Sequence, residues 1–439
     1  RNPDVGAFLS ACEYLKEPSD EEGAAVAGSY VPAPACADDL PRKVVASDAS
    51  PYSEPISGRF PSTQIGYVKV SLVMVDVDCF QALSPPGARF VDPTKVAEMH
   101  RNAQGIAFTL PGSNVRYKGA RSVRAGFRQA VFDQYCDQRS NFDPRGDYRL
   151  IDTLLVLGRE HPLIRCPDCG HAPSEPLLFS AAKRIDECAR CGTAIYATDL
   201  LRLHEPISDF GDNSPAITRF MNVTEHLLVA SFVRMLADNV PDVLSQMGFV
   251  LDGPLAIFGQ PAWIHRPLMR LYHDVATRLA ARGCAPPVIL GLQKEGHVMD
   301  HARAISRFLK PSVFRIVDDQ YRERWVTASP SLAENFGTET YYGQDFIFKT
   351  AHGGVFVVGV PYPFSDKGSP AEFAISKVEI ARYGASLCRA LEIVRHFEFD
   401  LYENSIIPVA LAHRHASISL VPGGQVLDLV SRHGLGAGS

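Results

Sequence analysis

Two Cys-x-x-Cys pairs constrain this 439-residue chain more tightly than any other feature. Cys166-Pro-Asp-Cys169 and Cys188-Ala-Arg-Cys191 stand eighteen residues apart, and Gly170 and Gly192 follow the second cysteine of each pair. Each turn points two thiolates at one centre, tetrahedral Zn²⁺ takes four, and a glycine relieves crowding where backbone amides turn toward sulfur. The intervening segment must therefore double back, as in a zinc ribbon. A Cys₄ set leaves no open position for water, so such an ion is structural; an iron-sulfur cluster or four free thiols are the alternative readings. Lys183, Arg184 and Arg190 lend the ribbon positive charge. Cys12, Cys36, Cys79, Cys136, Cys284 and Cys388 are scattered singly, a pattern of free thiols in a reducing, cytoplasmic compartment.

With 46% hydrophobic and 21% charged residues the chain is globular, and wholesale disorder is excluded. A formal net charge of -5 gives no global field that would draw it to nucleic acid or to an anionic membrane. Any DNA contact must rest on local patches or on a partner. No apolar run is long enough for a membrane span, and Arg1 to Asp4 open no signal-peptide core.

The spacing of apolar residues predicts a short N-terminal helix at about 5 to 16 and a flexible Ala- and Pro-rich connector at 21 to 41. Lys43 to Ser47 and Ile65 to Val77 read as neighbouring strands, which puts Asp48 at a strand end, and Asp152 to Leu157 (DTLLVL) reads as a further strand. A helix follows at about 223 to 244, capped by Thr224. Gly248 to Asp252, a helix at 265 to 282 and Pro287 to Leu292 have βαβ rhythm and imply a parallel pair. Phe346 to Lys349 and Val355 to Val360 flank His352-Gly353-Gly354 as in a hairpin. A long helix at 371 to 395 and a last one from Pro408 complete an α/β core. The expected organisation is an N-terminal helix and linker at 1–41, a core at 42–158 and 207–425, a zinc-ribbon insertion at 159–206, and a flexible tail at 426–439.

Asp48 and Asp252 stand out by position, each closing an apolar run. Carboxylates projecting from strand ends can hold Mg²⁺ or Mn²⁺ against a phosphate, because these hard ions prefer oxygen ligands. Each could equally cap a turn. Taken together, VVASDAS, FVLDGPL, LGLQKEGH and IIPVALAHRHA resemble, in this order from about residue 42 to 421, the NurA family of nucleases. The resemblance implies an RNase H-like, Piwi-related mixed sheet flanked by helices, here carrying an inserted zinc ribbon. It further implies a Mn²⁺-dependent (or Mg²⁺-dependent) deoxyribonuclease acting on single strands and DNA ends, a homodimer, and partnership with a HerA-like hexameric ATPase in DNA repair or phage defence. On it Asp48 and Asp252 are metal ligands, Glu225 is the carboxylate of the preceding helix, His413 the C-terminal histidine and Lys294 a phosphate contact. Without it, His413 reads equally as a structural histidine, and Glu225 and Lys294 read as solvated. A NurA-like scaffold or DNA-guiding subunit that has lost metal binding is the rival reading. The chain has no GxxxxGK[ST] phosphate loop, so an ATP-driven motor must be another chain.

Arg116, Lys118, Arg121, Arg124 and Arg128 crowd one segment, the last three on one helical face if it is helical. They form either a DNA-backbone patch or a solvated helix face. Trp263 reads as a core residue or as a base-stacking one.

Overall fold

The computed structural model describes residues 3–12, 17–35, 40–82, 103–327, 336–399 and 404–417, and every structural statement below concerns these residues. Eleven strands are β1 (Val31–Pro32), β2 (Lys43–Ser57), β3 (Phe60–Asp76), β4 (Ala103–Pro111), β5 (Ile185–Glu187), β6 (Ala194–Tyr196), β7 (Met247–Asp252), β8 (Val288–Gln293), β9 (Val313–Ile316), β10 (Gly343–Lys349) and β11 (Val355–Pro361). The longer helices are α1 (Pro3–Ser10), α2 (Asp20–Ala27), α3 (Val123–Cys136), α4 (Leu150–Leu157), α5 (Ser214–Asn239), α6 (His265–Ala280), α7 (His297–Ile305), α8 (Pro370–Ser376), α9 (Gly384–Phe397) and α10 (Ile407–Ala416).

Nine strands form one mixed sheet in the order β1-β9-β10-β11-β8-β7-β2-β3-β4, and β5 and β6 make a separate hairpin. The β2–β7 and β7–β8 pairs are parallel and the other neighbours antiparallel. The division follows from composition. The six residues of β8 (VILGLQ) are all buried, as are the first five of β7 (MGFVL), which suits central parallel strands covered on both faces. Helix α6 supplies the crossover that a parallel pair requires. In β3 the stretch Val68 to Val73 is wholly or partly buried where helices cover it, and exposure grows toward the β2–β3 turn at Phe60.

Helices α5 and α10 both pack on β2 and β3. Successive strand residues point to opposite faces. Ser47 meets α5 and Asp48 meets α10, so the two helices clasp β2 from opposite sides. Helix α9 covers β8 and β11. No described helix is long and apolar enough to cross a membrane.

Several expectations are corrected. DTLLVL is the body of helix α4, whose residues are buried apart from Val156. A short continuous apolar run does not distinguish a buried helix from a buried strand, and here Asp152 accepts from the Arg149 amide at 3.1 Å and starts a helical turn. The connector at 21 to 41 contains α2, which opens with a capping box between Ser19 and Glu22 and buries Val26. It also contains β1, paired with β9. The Ser-x-x-Glu signature was legible in the sequence. Helix α1 ends at Ser10, and residues 13–16 of the predicted helix lie outside the described residues, as does the tail at 426–439. Helix α5 begins at Ser214, with a proline in its first turn, so Thr224 lies mid-helix and hydrogen-bonds Tyr135 at 2.9 Å instead of capping. The helix expected at 371 to 395 is broken into α8 and α9 with a 3₁₀ turn between. Cys388 is disulfide-bonded rather than free; cysteine pairing depends on tertiary proximity, which spacing does not reveal.

Candidate metal centre

The parallel pairing of β2 with β7 runs from Lys43–Met247 to Ser47–Leu251, and that of β7 with β8 ends at Asp252–Leu292. Asp48 is thus the first β2 residue beyond the parallel register, Asp252 is the last of β7, and Lys294 follows β8. All three project at the carboxyl ends of neighbouring parallel strands, where open α/β sheets place their ligands. Asp48 does not end its strand as expected, because β3 continues to pair with β2 as far as Ser57 and holds Ser71 opposite Asp48.

His413, on α10, comes from the other end of the chain. Its Nδ1 lies 2.8 Å from Asp48 Oδ2; the imidazole is half exposed while the aspartate is buried. One ligand atom from each of Asp48, Asp252 and His413 lies within 4.8 Å of the others. Lys294 Nζ donates to Asp252 Oδ2 at 2.6 Å. Burial pushes the Asp252 carboxyl up to about 6; the Lys294 ammonium opposes the rise and the neighbouring Asp48 carboxylate adds to it. Two aspartates so close repel each other, and a cation between them relieves that repulsion. Carboxylate oxygens suit Mg²⁺ and Mn²⁺, whose oxygen donors stand at about 2.1 Å. The donor set therefore fits one small divalent ion held by Asp48 and Asp252, with His413 at its side.

Glu225 adjoins this cluster from the other face of the sheet. It lies on α5, on the opposite side of β2 from His413, where it accepts from Ser47 Oγ at 2.7 Å. It is not in the three-residue cluster. Burial pushes its carboxyl up to about 8; the Ser47 hydrogen bond opposes this and the charges of Asp48 and Asp252 reinforce it. Its neighbour His226 is pushed down to about 4 by burial, and its Nδ1 is hydrogen-bonded to the Tyr342 hydroxyl at 2.6 Å. Sequence reading missed Ser47, although period-two alternation beside Asp48 would have pointed its hydroxyl at the α5 face.

The four cysteines do converge. Cys166 Sγ and Cys191 Sγ are 3.8 Å apart, and Cys169 Sγ and Cys188 Sγ 3.7 Å. Four sulfurs at about 2.3 Å from one zinc define a tetrahedron with edges of about 3.8 Å. The amides of Gly170 and Gly192 bond back to the carbonyls of Cys166 and Cys188, and both glycines have φ near +70° (70° and 67°), which relieves the turn as expected. The second Cys-x-x-Cys joins β5 to β6, so the cluster sits on a small two-stranded hairpin and suggests a structural zinc.

The basic segment makes several ion pairs and hydrogen bonds within the fold, and only Arg128 of its five cations is buried. Arg128 is buried, bonded through Nη2 to Asp199 Oδ2 at 2.6 Å and to the Ala194 carbonyl at 2.7 Å. Arg124 donates to the Ile207 carbonyl, Arg121 pairs with Asp168, and Lys118 pairs with Asp133 at 2.8 Å. Arg121 precedes the Ser122 cap of α3, so the three arginines share no helical face. Arg116 is exposed. Arg121, Arg124 and Arg128 thus tie this segment to residues between 168 and 207, while Arg116, Lys118, Arg121 and Arg124 stay exposed. Trp263 is half-buried, stacked on His161 with centroids 4.0 Å apart, and donates its Nε1–H to the Leu200 carbonyl at 2.9 Å.

No protein-family model matches this chain, and no curated protein matches it. Among solved structures, the crystal structure of the NurA nuclease from Sulfolobus solfataricus aligns with 98% of this chain and 92% of its own, at 10% sequence identity and a TM-score of 0.32.

Proposed function

We propose that the chain is a metal-dependent DNA nuclease, using Mn²⁺ or Mg²⁺ to hydrolyse phosphodiesters in single strands and at DNA ends. The observation that carries this reading is the convergence of Asp48, Asp252, His413 and Lys294, drawn from segments up to 365 residues apart, at one row of strand ends. The ordered resemblance of their four sequence stretches to NurA nucleases supports it. A divalent ion held by Asp48 and Asp252 would lower the pKa of a bound water and supply hydroxide near neutral pH. His413 orients the Asp48 carboxylate through their hydrogen bond, and its exposed ring is free to meet a phosphate oxygen or protonate a leaving group. Lys294 holds Asp252 and offers a point charge to a phosphate. Glu225, braced by Ser47 beneath the aspartates, supports the strand ends in this reading. The ribbon at 159–206 is an insertion into the core at 42–158 and 207–425, and the active form is a homodimer receiving DNA from a HerA-like hexameric ATPase.

The test is cleavage of labelled linear and single-stranded DNA in Mn²⁺, Mg²⁺ and EDTA, with and without such an ATPase. Asp48→Ala and Asp252→Ala are run beside the parent. Cutting that needs metal and disappears in both variants, with zinc content and folding unchanged, is the expected result. A parent that stays inert with its partner would instead favour a DNA-guiding scaffold.

A further inference from the structure

After Asp252 the main chain does not continue along the sheet. Gly253 (φ 128°) and Pro254 turn it back, and the Gly253 amide is held by the Leu292 carbonyl at 2.9 Å. This brings Leu255, fully buried, down onto strands β8, β11 and β10. Each of these strands carries a glycine beneath it. A Cβ placed at Gly343 would fall 2.7 Å from Leu255 Cδ1 and 2.9 Å from its Cβ. One at Gly291 would fall 3.1 Å from Leu255 Cγ and 2.5 Å from the Gly253 carbonyl oxygen, and one at Gly359 would rest 3.4 Å from Leu255 Cγ. Gly291, Gly359 and Gly343 thus leave a socket that the Leu255 side chain fills.

The backbone around Leu255 is locked as well. The Tyr342 amide donates to the Leu255 carbonyl and the Ile257 amide to the Thr340 carbonyl, each at 2.9 Å, and Ala256 bridges Tyr341. The segment 337–341 is itself held by the buried ammonium of Lys367, which donates to the carbonyls of Gly337, Thr338 and Tyr341 at 2.7, 2.9 and 2.7 Å. Polar groups held this way in a dry interior resist displacement.

We infer that Leu255 is a positioning residue for Asp252: seated among three glycines, it fixes the turn that aims the carboxylate at Asp48. The inference rests on the metal-centre reading above. Positioning requires that the side chain's length matter. Shortening it lets the turn rise, whereas an unbranched chain of similar volume keeps the seat filled.

The experiment uses the full chain with its zinc. Mn²⁺ affinity is measured by electron paramagnetic resonance, and kcat and KM on single-stranded DNA are measured separately, for the parent, Leu255→Ala, Leu255→Val and Leu255→Met. In Leu255→Ala we expect Mn²⁺ affinity weakened by roughly 10- to 100-fold, as for other residues that support a metal ligand. kcat falls with it while KM for DNA stays near the parent value, and Leu255→Met recovers most of both. Should the alanine variant not fold, the graded order Met, Val in Mn²⁺ affinity carries the test. Folded Leu255→Ala and Leu255→Val that bind Mn²⁺ and turn over like the parent would overturn the inference. A parent that binds Mn²⁺ through Asp48 and Asp252 yet leaves DNA intact sinks the nuclease reading alone, since the affinities of the variants still test Leu255. A parent that binds no Mn²⁺ sinks both.

Discussion

The four-cysteine ribbon and the carboxylate centre are two candidate sites for divalent metal built in opposite ways. The ribbon's four ligands come from 26 consecutive residues, Cys166 to Cys191, and two local turns aim them. The carboxylate centre draws one side chain each from β2, β7 and α10, and nothing local relates them. A short-range site is specified by turn chemistry and needs little support from the rest of the fold. A long-range site inherits its geometry from strand register and helix docking, and is exposed to any change that shifts either.

The contrast can be broken experimentally, and the largest effect should come from the ribbon. Zinc sites of this kind contribute about 10 to 16 kcal/mol to the folding of their own segment. Atomic emission should find equimolar zinc in the parent; stripping the metal with a chelator, or Cys188→Ser, should abolish it and unfold the hairpin. Hydrogen exchange should find it unprotected while β2, β3, β7 and β8 stay protected. Loss of protection across the large sheet would show that the ribbon is not the self-contained unit described above.

Asp48→Asn and Asp252→Asn come next. Losing a ligand of a catalytic metal removes several kcal/mol of transition-state stabilisation, about 10³-fold or more in rate, with an unchanged melting profile at neutral pH. Single-turnover cleavage reads this directly.

The third effect lies between the two regions. Arg128 and Asp199 form a buried ion pair that ties α3 to the segment following the ribbon hairpin. Arg128→Met leaves the carboxylate uncompensated and should cost about 3 to 5 kcal/mol, read by urea denaturation. Were Arg128 a phosphate contact, the variant would instead weaken DNA binding with stability intact.

The smallest effect sharpens the carboxylate side. Folded Glu225 keeps its proton up to about 8, whereas an unfolded glutamate loses it near 4.3. The native state then binds more protons than the unfolded one between about pH 4 and 8, so stability falls as pH rises through that window. Glu225→Gln cannot ionise and escapes the fall. Its melting temperature should exceed the parent's above pH 8 in metal-free protein, by an amount worth on the order of a few kcal/mol at most, and match it near pH 4. Equal melting curves at pH 9 would place Glu225 in a wetter site than the one described.

The same contrast separates what could be read from the chain. Cys166, Cys169, Cys188 and Cys191 announce their site because ligand spacing within one turn is a sequence property. The central strands were legible for a similar reason: GFVLD and VILGL are uninterrupted apolar runs bounded by turn residues. DTLLVL misled because an all-apolar run carries no period. The basic segment was legible as a cluster of charges, but its partners were not. Asp168, Asp199 and the Ile207 carbonyl meet Arg121, Arg128 and Arg124 only when the chain folds.

By itself the sequence determined the ribbon, the α/β alternation and the candidacy of Asp48 and Asp252. These depend on residue type and on neighbours a few positions away, where covalent geometry limits the choices. The tertiary structure alone decided that His413 reaches Asp48, that Lys294 pairs with Asp252, that Glu225 sits under the strand with Ser47, and that Leu255 finds three glycines. Each of these is a contact between side chains brought together by register and packing, which no local pattern encodes.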